Sequence, residues 1–277
     1  MNRGMANFAM NKGRIKKLNE TNRGVSFAIN PSANLDDEQW AKIAGGGEVP
    51  FEHIHEAKRN VPHEDPHGRS LYNVRSVDWI EAGKVHPPKW QGECGSCWAF
   101  ASTLVQESME AIQKDLTPVQ LSEQEGLDCS QGTSGCGGGW PTYYLTFARD
   151  AGSQTAQDYP YEFVQGDCRH QENKKVASRV AQWGRADDST TQMKMQLQEG
   201  PLIAAVSSVN DCWRFYSAGI LSSANNCPTN IDHIVAIVGV HIAEQPQTES
   251  GDCPGIKNEA PAAESEQDYW IIQNSWS

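Results

Sequence analysis

The sequence lacks a long hydrophobic run. Its longest, "IVAIVGV" from Ile234, falls far short of the roughly 20 apolar residues that a membrane-spanning helix needs. The opening "MNRGMANFAMNKGRIKKLNE" carries no apolar core of the kind that directs secretion. Positive charge is also scarce: 23 Lys and Arg stand against 35 Asp and Glu in 277 residues, a formal net charge of −12. Proteins that hold nucleic acid neutralise phosphates with clustered cations, so nucleic acid is not an expected partner. No internal repeat is present, and no set of Cys and His stands at closed zinc-ligand spacing. Four of the eight histidines crowd into "GGGEVPFEHIHEAKRNVPHEDPHGR", residues 45–69, where Gly, Pro and charges describe a solvated linker rather than a metal site. No metal and no cofactor is expected.

What the sequence does have is eight cysteines. Paired thiols persist in oxidising compartments, so a secretory signal is expected upstream of Met1. Phe8, Asn11, Ile15, Leu18 and Asn19 recur at helical spacing, and "NPSANLDDEQW" supplies the Pro, capping Asn and acidic first turn of a second short helix. These form a leader over residues 1–44, followed by the linker, 45–72, and a main domain, 73–277. In that domain a helical pattern runs from Trp98 to Leu116, whereas "PLIAAVSSV", "HIVAIVGV" and "YWIIQNSW" read as short buried strands. Helices first and strands later describe an α+β protein in two lobes. The stretch "HIAEQPQTESGDCPGIKNEAPAAESEQD" between the last two strands is too long and polar for a hairpin loop and reads as a surface excursion.

The chemistry is concentrated in "QGECGSCWAF", Gln91 to Phe100, whose Cys-x-x-Cys has three readings. A zinc site needs a second pair or spaced histidines, and a redox pair needs a βαβ setting; neither is visible. The third reading puts Cys97 in the first turn of a helix, where the helix dipole and a nearby imidazolium favour thiolate and make it a nucleophile. His233 in "NIDHIVAIVGV" is the candidate imidazole; alone, a strand histidine is more often a core residue, and its company changes that. Asn274 in "IIQNSW" is the amide that orients the ring, with Trp276 beside it to exclude water. Gln91, just upstream of Cys97, is the candidate donor to an oxyanion together with the Cys97 backbone N–H.

With these residues the sequence resembles the papain-like, cathepsin L-like cysteine peptidases. "GSCWAF", "LSEQEGLDC", "GCGGGWP", "YPY", "DHIVAIVGV" and "YWIIQNSW" occur in family order between Ser76 and Ser277. The resemblance implies a two-lobe fold, helical first and β-barrel-like second, with the active site in the cleft between them. It implies that Cys97 attacks a peptide carbonyl, that His233 protonates the leaving amine, that Asn274 orients the ring and that Gln91 lines the oxyanion hole. Asn274 lies further along the chain than in relatives, a difference that looping out the excursion after Val240 absorbs.

The same resemblance pairs Cys94 with Cys136 and Cys129 with Cys168. Of the remaining cysteines, Cys212 is suggested to join Cys253, since the family's partner for Cys227 would fall beyond Ser277. Gly138 and Gly139 correspond to the backbone edge that holds an extended substrate. Trp140, Pro141, Ala205, Ile231 and Ile234 would line an apolar second subsite. No paired-histidine occluding loop is present, which implies an endopeptidase. "FAMNKGRIKKLN" resembles the latter part of the family's inhibitory propeptide, but Ala28, Ser32 and Asn34 replace that propeptide's glycine, aromatic and acid and weaken the expectation of inhibition. The implied partners are protein and peptide substrates, the chain's own leader and cystatin-like inhibitors, for a monomer that is secreted or endolysosomal. Relatives continue past Ser277 with further strands, so the expectation for this polypeptide is a zymogen lacking its last strands, unstable or inactive as it stands. The alternative is a peptidase-like binding protein, or an inhibitor of other cysteine peptidases.

Overall fold

The computed structural model describes residues 3–44, 74–171, 176–186, 189–222, 231–243 and 267–276. The linker histidines, the rest of residues 45–73, Cys227, Cys253 and most of the excursion lie outside them, and so does the suggested Cys212–Cys253 bridge.

The leader folds as α1 (Arg3–Thr21), β1 (Val25–Phe27), a 3-10 turn (Pro31–Asn34) and α2 (Asp37–Ala44). Along α1, Asn11 and Ile15 are buried, whereas Phe8 is exposed. The Asn11 amide donates to the carbonyls of Ala33 and Leu35, both 3.0 Å, which turns the chain back along the helix. Asn19 brackets Phe27, donating to its carbonyl and accepting from its N–H, each at 2.9 Å. A reciprocal cap opens α2: Asp36 accepts from the Gln39 N–H and its own N–H donates to the Gln39 side chain.

The rest of the described chain adds β2 (Val77–Asp78), α3 (Cys97–Gln113), α4 (Glu123–Cys129), α5 (Pro141–Asp150), α6 (Thr190–Leu197), β3 (Leu202–Val206), α7 (Asp211–Arg214), β4 (Tyr216–Gly219), β5 (His233–His241) and β6 (Tyr269–Gln273). Helix α3 starts one residue before the sequence pattern does. Ser122 caps α4 by accepting from the Glu125 N–H at 2.8 Å. Disulfides join Cys94 to Cys136 and Cys129 to Cys168, stapling the segments around α3, α4 and α5.

Strand β5 is the centre of the second lobe. It pairs antiparallel with β6 along one edge and with β3 and β2 along the other. His233 to Val240 are all buried, which is why the strand reads as an unbroken apolar run rather than an alternation. Among the described residues this sheet is open, not the closed barrel-like lobe that the resemblance implies. The core of the first lobe, built on Trp98, Ala99, Leu127 and Tyr144, reaches across to Ile234 and so binds the start of α3 to the start of β5. The leader joins the main domain edge to edge, with β1 pairing β4 antiparallel.

Lys89 donates to Glu107 on α3 at 3.0 Å and to Glu123 on α4 at 2.6 Å, with both carboxylates almost fully buried. Burial pushes the Glu107 carboxyl up to about 7 despite the ammonium beside it. Replacing Lys89 with Met leaves two carboxylates without their cation, a change expected to cost about 3 kcal/mol of stability at pH 7.5. The deficit should shrink by pH 5 as Glu107 takes up a proton; a melt of the variant that is equally depressed at both pH values would contradict this.

Candidate active site

Helix α3 and strand β5 bring the sequence-selected residues together. Cys97 is the first residue of α3, 1% exposed, with the N–H groups of Trp98, Ile234 and Cys97 itself directed at its sulfur. His233 opens β5. Its Nε2 donates to the Asn274 Oδ1 at 2.9 Å, and Asn274 is held in turn by the Ser275 N–H at 2.7 Å. The ring of Trp276 stacks on the imidazole, centroids 4.4 Å apart, and screens that hydrogen bond from water.

Gln91 is fully buried and fixed at both ends. Its Oε1 accepts from the Ser275 hydroxyl at 2.5 Å, its backbone N–H donates to the Ser275 carbonyl, and its Nε2 donates to the Cys94 carbonyl at 2.9 Å. The second Nε2 hydrogen bond goes to the carbonyl of Ile43, at 3.2 Å, and Ile43 belongs to the leader. The last turn of α2 therefore ends on this site. The Ala44 backbone lies against His233, and Trp40 packs edge-on to Trp276 with centroids 4.7 Å apart.

This cover sets the electrostatics. Burial pushes the Cys97 thiol up to about 12, against the opposing pull of the Ile234 N–H on β5 and of the Trp98 and Cys97 N–H groups at the helix start. Burial likewise pulls His233 down to about 4, although the Asn274 hydrogen bond favours the charged ring. With the leader in place both groups are neutral. In the unfolded chain His233 titrates near 6.5, so its neutral folded form contributes stability above pH 6.5 that is lost as pH falls toward 4, roughly 3 kcal/mol in all. Glu107 runs the opposite way over the same range, so the expected signature is the difference between wild type and His233→Gln in thermal melts from pH 7.5 to 4. A difference that does not vary with pH would contradict a buried neutral imidazole.

Gly138 and Gly139 leave a bare stretch of backbone beside Trp98. Gly138 has φ +118°, and a Cβ on Gly139 would stand 2.6 Å from the Trp98 ring, so a side chain at either position would disturb the backbone edge. Pro141 begins α5, while Trp140 and Ala205 pack on the cluster that contains Ile234. Ile231 is exposed and lies outside that cluster.

Several residues of the site carry no sequence signal. Ser275, Trp40 and Arg214 lie next to motifs or in neutral stretches, and only the fold gives them partners. Arg214, 2% exposed, donates from Nη1 to Asp37 at 3.0 Å and from Nη2 to the carbonyls of Ser32 and Leu35 at 2.9 and 2.7 Å. The replacements at Ala28, Ser32 and Asn34 therefore do not unseat the leader. Asp37, one helix start further on, supplies the carboxylate, and it is also paired with Arg14 at 2.5 Å.

The profile of the papain family cysteine proteases matches residues 74–277. Digestive cysteine proteinase 2 of Homarus americanus is 31% identical over 98% of this chain and 77% of its own length. Vivapain-1 of Plasmodium vivax is 30% identical over 98% of this chain, which spans half of that longer protein. The structure of digestive procathepsin L 3 from the Tenebrio molitor larval midgut superposes with a TM-score of 0.77 at 26% identity, covering 99% of this chain and 81% of the other. The chain belongs to the papain family of cysteine proteases, in its cathepsin L-like branch.

Proposed function

We propose that the chain is a cysteine endopeptidase made as a zymogen, in which Cys97 is the nucleophile, His233 its proton acceptor and donor, Asn274 the group that orients the ring and Gln91 an oxyanion donor. The observation that carries this reading is the hydrogen bond from Gln91 Nε2 to the Ile43 carbonyl. A leader carbonyl stands on the donor that would otherwise face the oxygen of a scissile peptide, beside a cysteine at a helix start and an amide-held imidazole.

The chemistry follows from removing that cover. Water reaching the site relieves the desolvation that holds Cys97 and His233 neutral, and the thiol proton moves to the imidazole without net uptake from solvent. The thiolate attacks the carbonyl carbon; the oxygen gains negative charge and meets the Gln91 amide and the Cys97 N–H. His233 then gives its proton to the departing amine, and water, deprotonated by the same ring, releases the acyl group. The leader, residues 1–44, acts as the built-in inhibitor, and cleavage within 45–72 frees it.

Trp140, Pro141, Ala205, Ile231 and Ile234 give the second subsite an apolar wall that would leave an incoming charge unpaired. A library of peptides is expected to be cleaved after a residue preceded by Leu, Val or Phe; a preference for Arg or Asp at that upstream position would overturn this assignment. Secretion or endolysosomal residence fits the two disulfides and the cathepsin L-like kinship. Among the described residues no helix is long and apolar enough to cross a membrane. We extend the reading to protein and peptide substrates, to cystatin-like inhibitors as partners and to action as a monomer. Stoichiometric alkylation of Cys97 by an epoxysuccinyl peptide, with loss of peptide hydrolysis in step, tests the core of the proposal. A freed site that reacts no faster than cysteine in solution would favour a binding protein without turnover.

A further inference from the structure

Arg214 has no part in the chemistry above, yet it is one of the largest fully buried side chains of the protein. The leader supplies its hydrogen-bond acceptors. The groups that accept its hydrogen bonds, Asp37, Ser32 and Leu35, are all leader residues, as is Trp40, whose ring lies 5.5 Å beneath the guanidinium. From its own domain it has the Phe215 ring at 4.9 Å and the attraction of the Asp211 carboxylate. Among the described residues its Nε finds no acceptor at all. When the leader leaves, a planar cation that binds carboxylates in a fork loses the one carboxylate it hydrogen-bonds, Asp37, and keeps only the electrostatic attraction of Asp211.

The position of Arg214 relative to the site is set by aromatic contacts. Trp40 links it to Trp276, at 4.7 Å, and Trp276 stacks on His233 at 4.4 Å. Trp213 flanks the same Trp276 ring, with centroids 6.4 Å apart. In the proposed mechanism His233 hands its proton to the leaving amine, so the residues after the scissile bond leave along the His233 and Trp276 side, not along the Gly138–Gly139 edge. An extended peptide advances about 3.3 Å per residue, which brings the first three of those residues to the ground that Trp40 and Asp37 occupy in the closed form.

We propose that Arg214 is a specificity-determining residue of the leaving-group side of the cleft, selecting an Asp or Glu within the first three residues after the scissile bond. Asp37 is the leader's imitation of that side chain. The proposal rests on the peptidase reading given above for its place in a reaction, but not for the binding itself.

The test uses the full chain, folded and then cut in the 45–72 linker so that the leader is released. Internally quenched peptides with Leu at the second position before the scissile bond carry Asp or its isostere Asn at each of the three following positions. At one of them Asp is expected to raise kcat/KM about tenfold over Asn, the ordinary worth of a hydrogen bond to a charged partner, and the ratio should fall toward one in Arg214→Gln and at high salt. Arg214→Lys, which keeps the charge and loses the fork, should keep part of it. Ratios within twofold at all three positions, or a preference that survives in Arg214→Gln, would overturn the proposal. Equilibrium binding of the matching leaving-side peptides to Cys97→Ala protein, prepared the same way, is independent of turnover. A tenfold tighter dissociation constant for Asp supports the site even if no peptide is hydrolysed, an outcome that would sink the peptidase reading alone. Equal constants would overturn the Arg214 site even if hydrolysis is brisk.

Discussion

Cys97→Ser is expected to lower kcat/KM of the processed chain by about 10⁴-fold or more while leaving the fold intact, because catalytic groups that act as a unit fail together when one is removed. The substitution keeps shape in a position that is 1% exposed at the start of α3, and the hydroxyl can accept the same N–H groups from Trp98 and Ile234. What it changes is acidity. A thiol whose ordinary value is near 8.5 can pass its proton to an imidazole once water enters the site, whereas a serine hydroxyl cannot do so to a ring held only by the neutral Asn274 amide. Hydrolysis of a peptide substrate and a thermal melt, run on one preparation, separate chemistry from folding. A variant that melts normally and still hydrolyses at more than about a hundredth of the wild-type rate would place the nucleophile elsewhere.

The second large effect concerns the leader. Alkylation of Cys97 by an epoxysuccinyl peptide at pH 6 is expected to be at least ~10²-fold slower in the intact chain than after leader release. Two causes act in the same direction. Burial holds the thiol up at about 12 in the closed form, so thiolate is scarce, and the Ile43 carbonyl on Gln91, with Trp40 against Trp276, covers the approach. Because the proton that leaves Cys97 goes to His233, the reactive pair forms on opening without a change in total bound protons. The rate gain should therefore persist across mildly acidic and neutral pH. In the intact chain, Asp37→Asn combined with Trp40→Ala removes the anion that faces Arg14 and Arg214 and the ring that covers Trp276. That double variant should recover a large part of the lost rate. Equal rates in intact and processed protein would mean that the leader does not close the site.

Much of the fold was legible from local pattern. A helix that buries one stripe and a strand buried on both faces leave a mark that neighbouring residues carry by themselves, and α3, β3, β5 and β6 all fall on segments so marked. Leader helix α1 is marked too, yet Phe8, which shares the spacing of Asn11 and Ile15, is exposed. Periodicity names the face of a helix but not how far along it a partner reaches. The barrel-like second lobe came from resemblance rather than from pattern, and the described residues form an open sheet.

The candidate site divides along the same line. Cys97, Gln91, His233 and Asn274 were singled out by residue type, by company and by family order, all properties of the string of letters. The sequence by itself determined the family, the helices and strands around the cleft, and the kind of chemistry those four side chains can support. Only the tertiary structure decided what faces them. The Ser275 hydroxyl on Gln91 comes from 184 residues away, and the Asn30 amide reaches the Arg214 carbonyl across the same separation. No local preference encodes such pairings, since each side chain would be equally content in water. Their partners are chosen by strand register and by the docking of α2 across the site, and burial follows from that docking. It is this burial that keeps Cys97 and His233 neutral and leaves Arg214 in the leader's hands, because the free energy of a charge depends on how much water surrounds it and not on its neighbours in sequence.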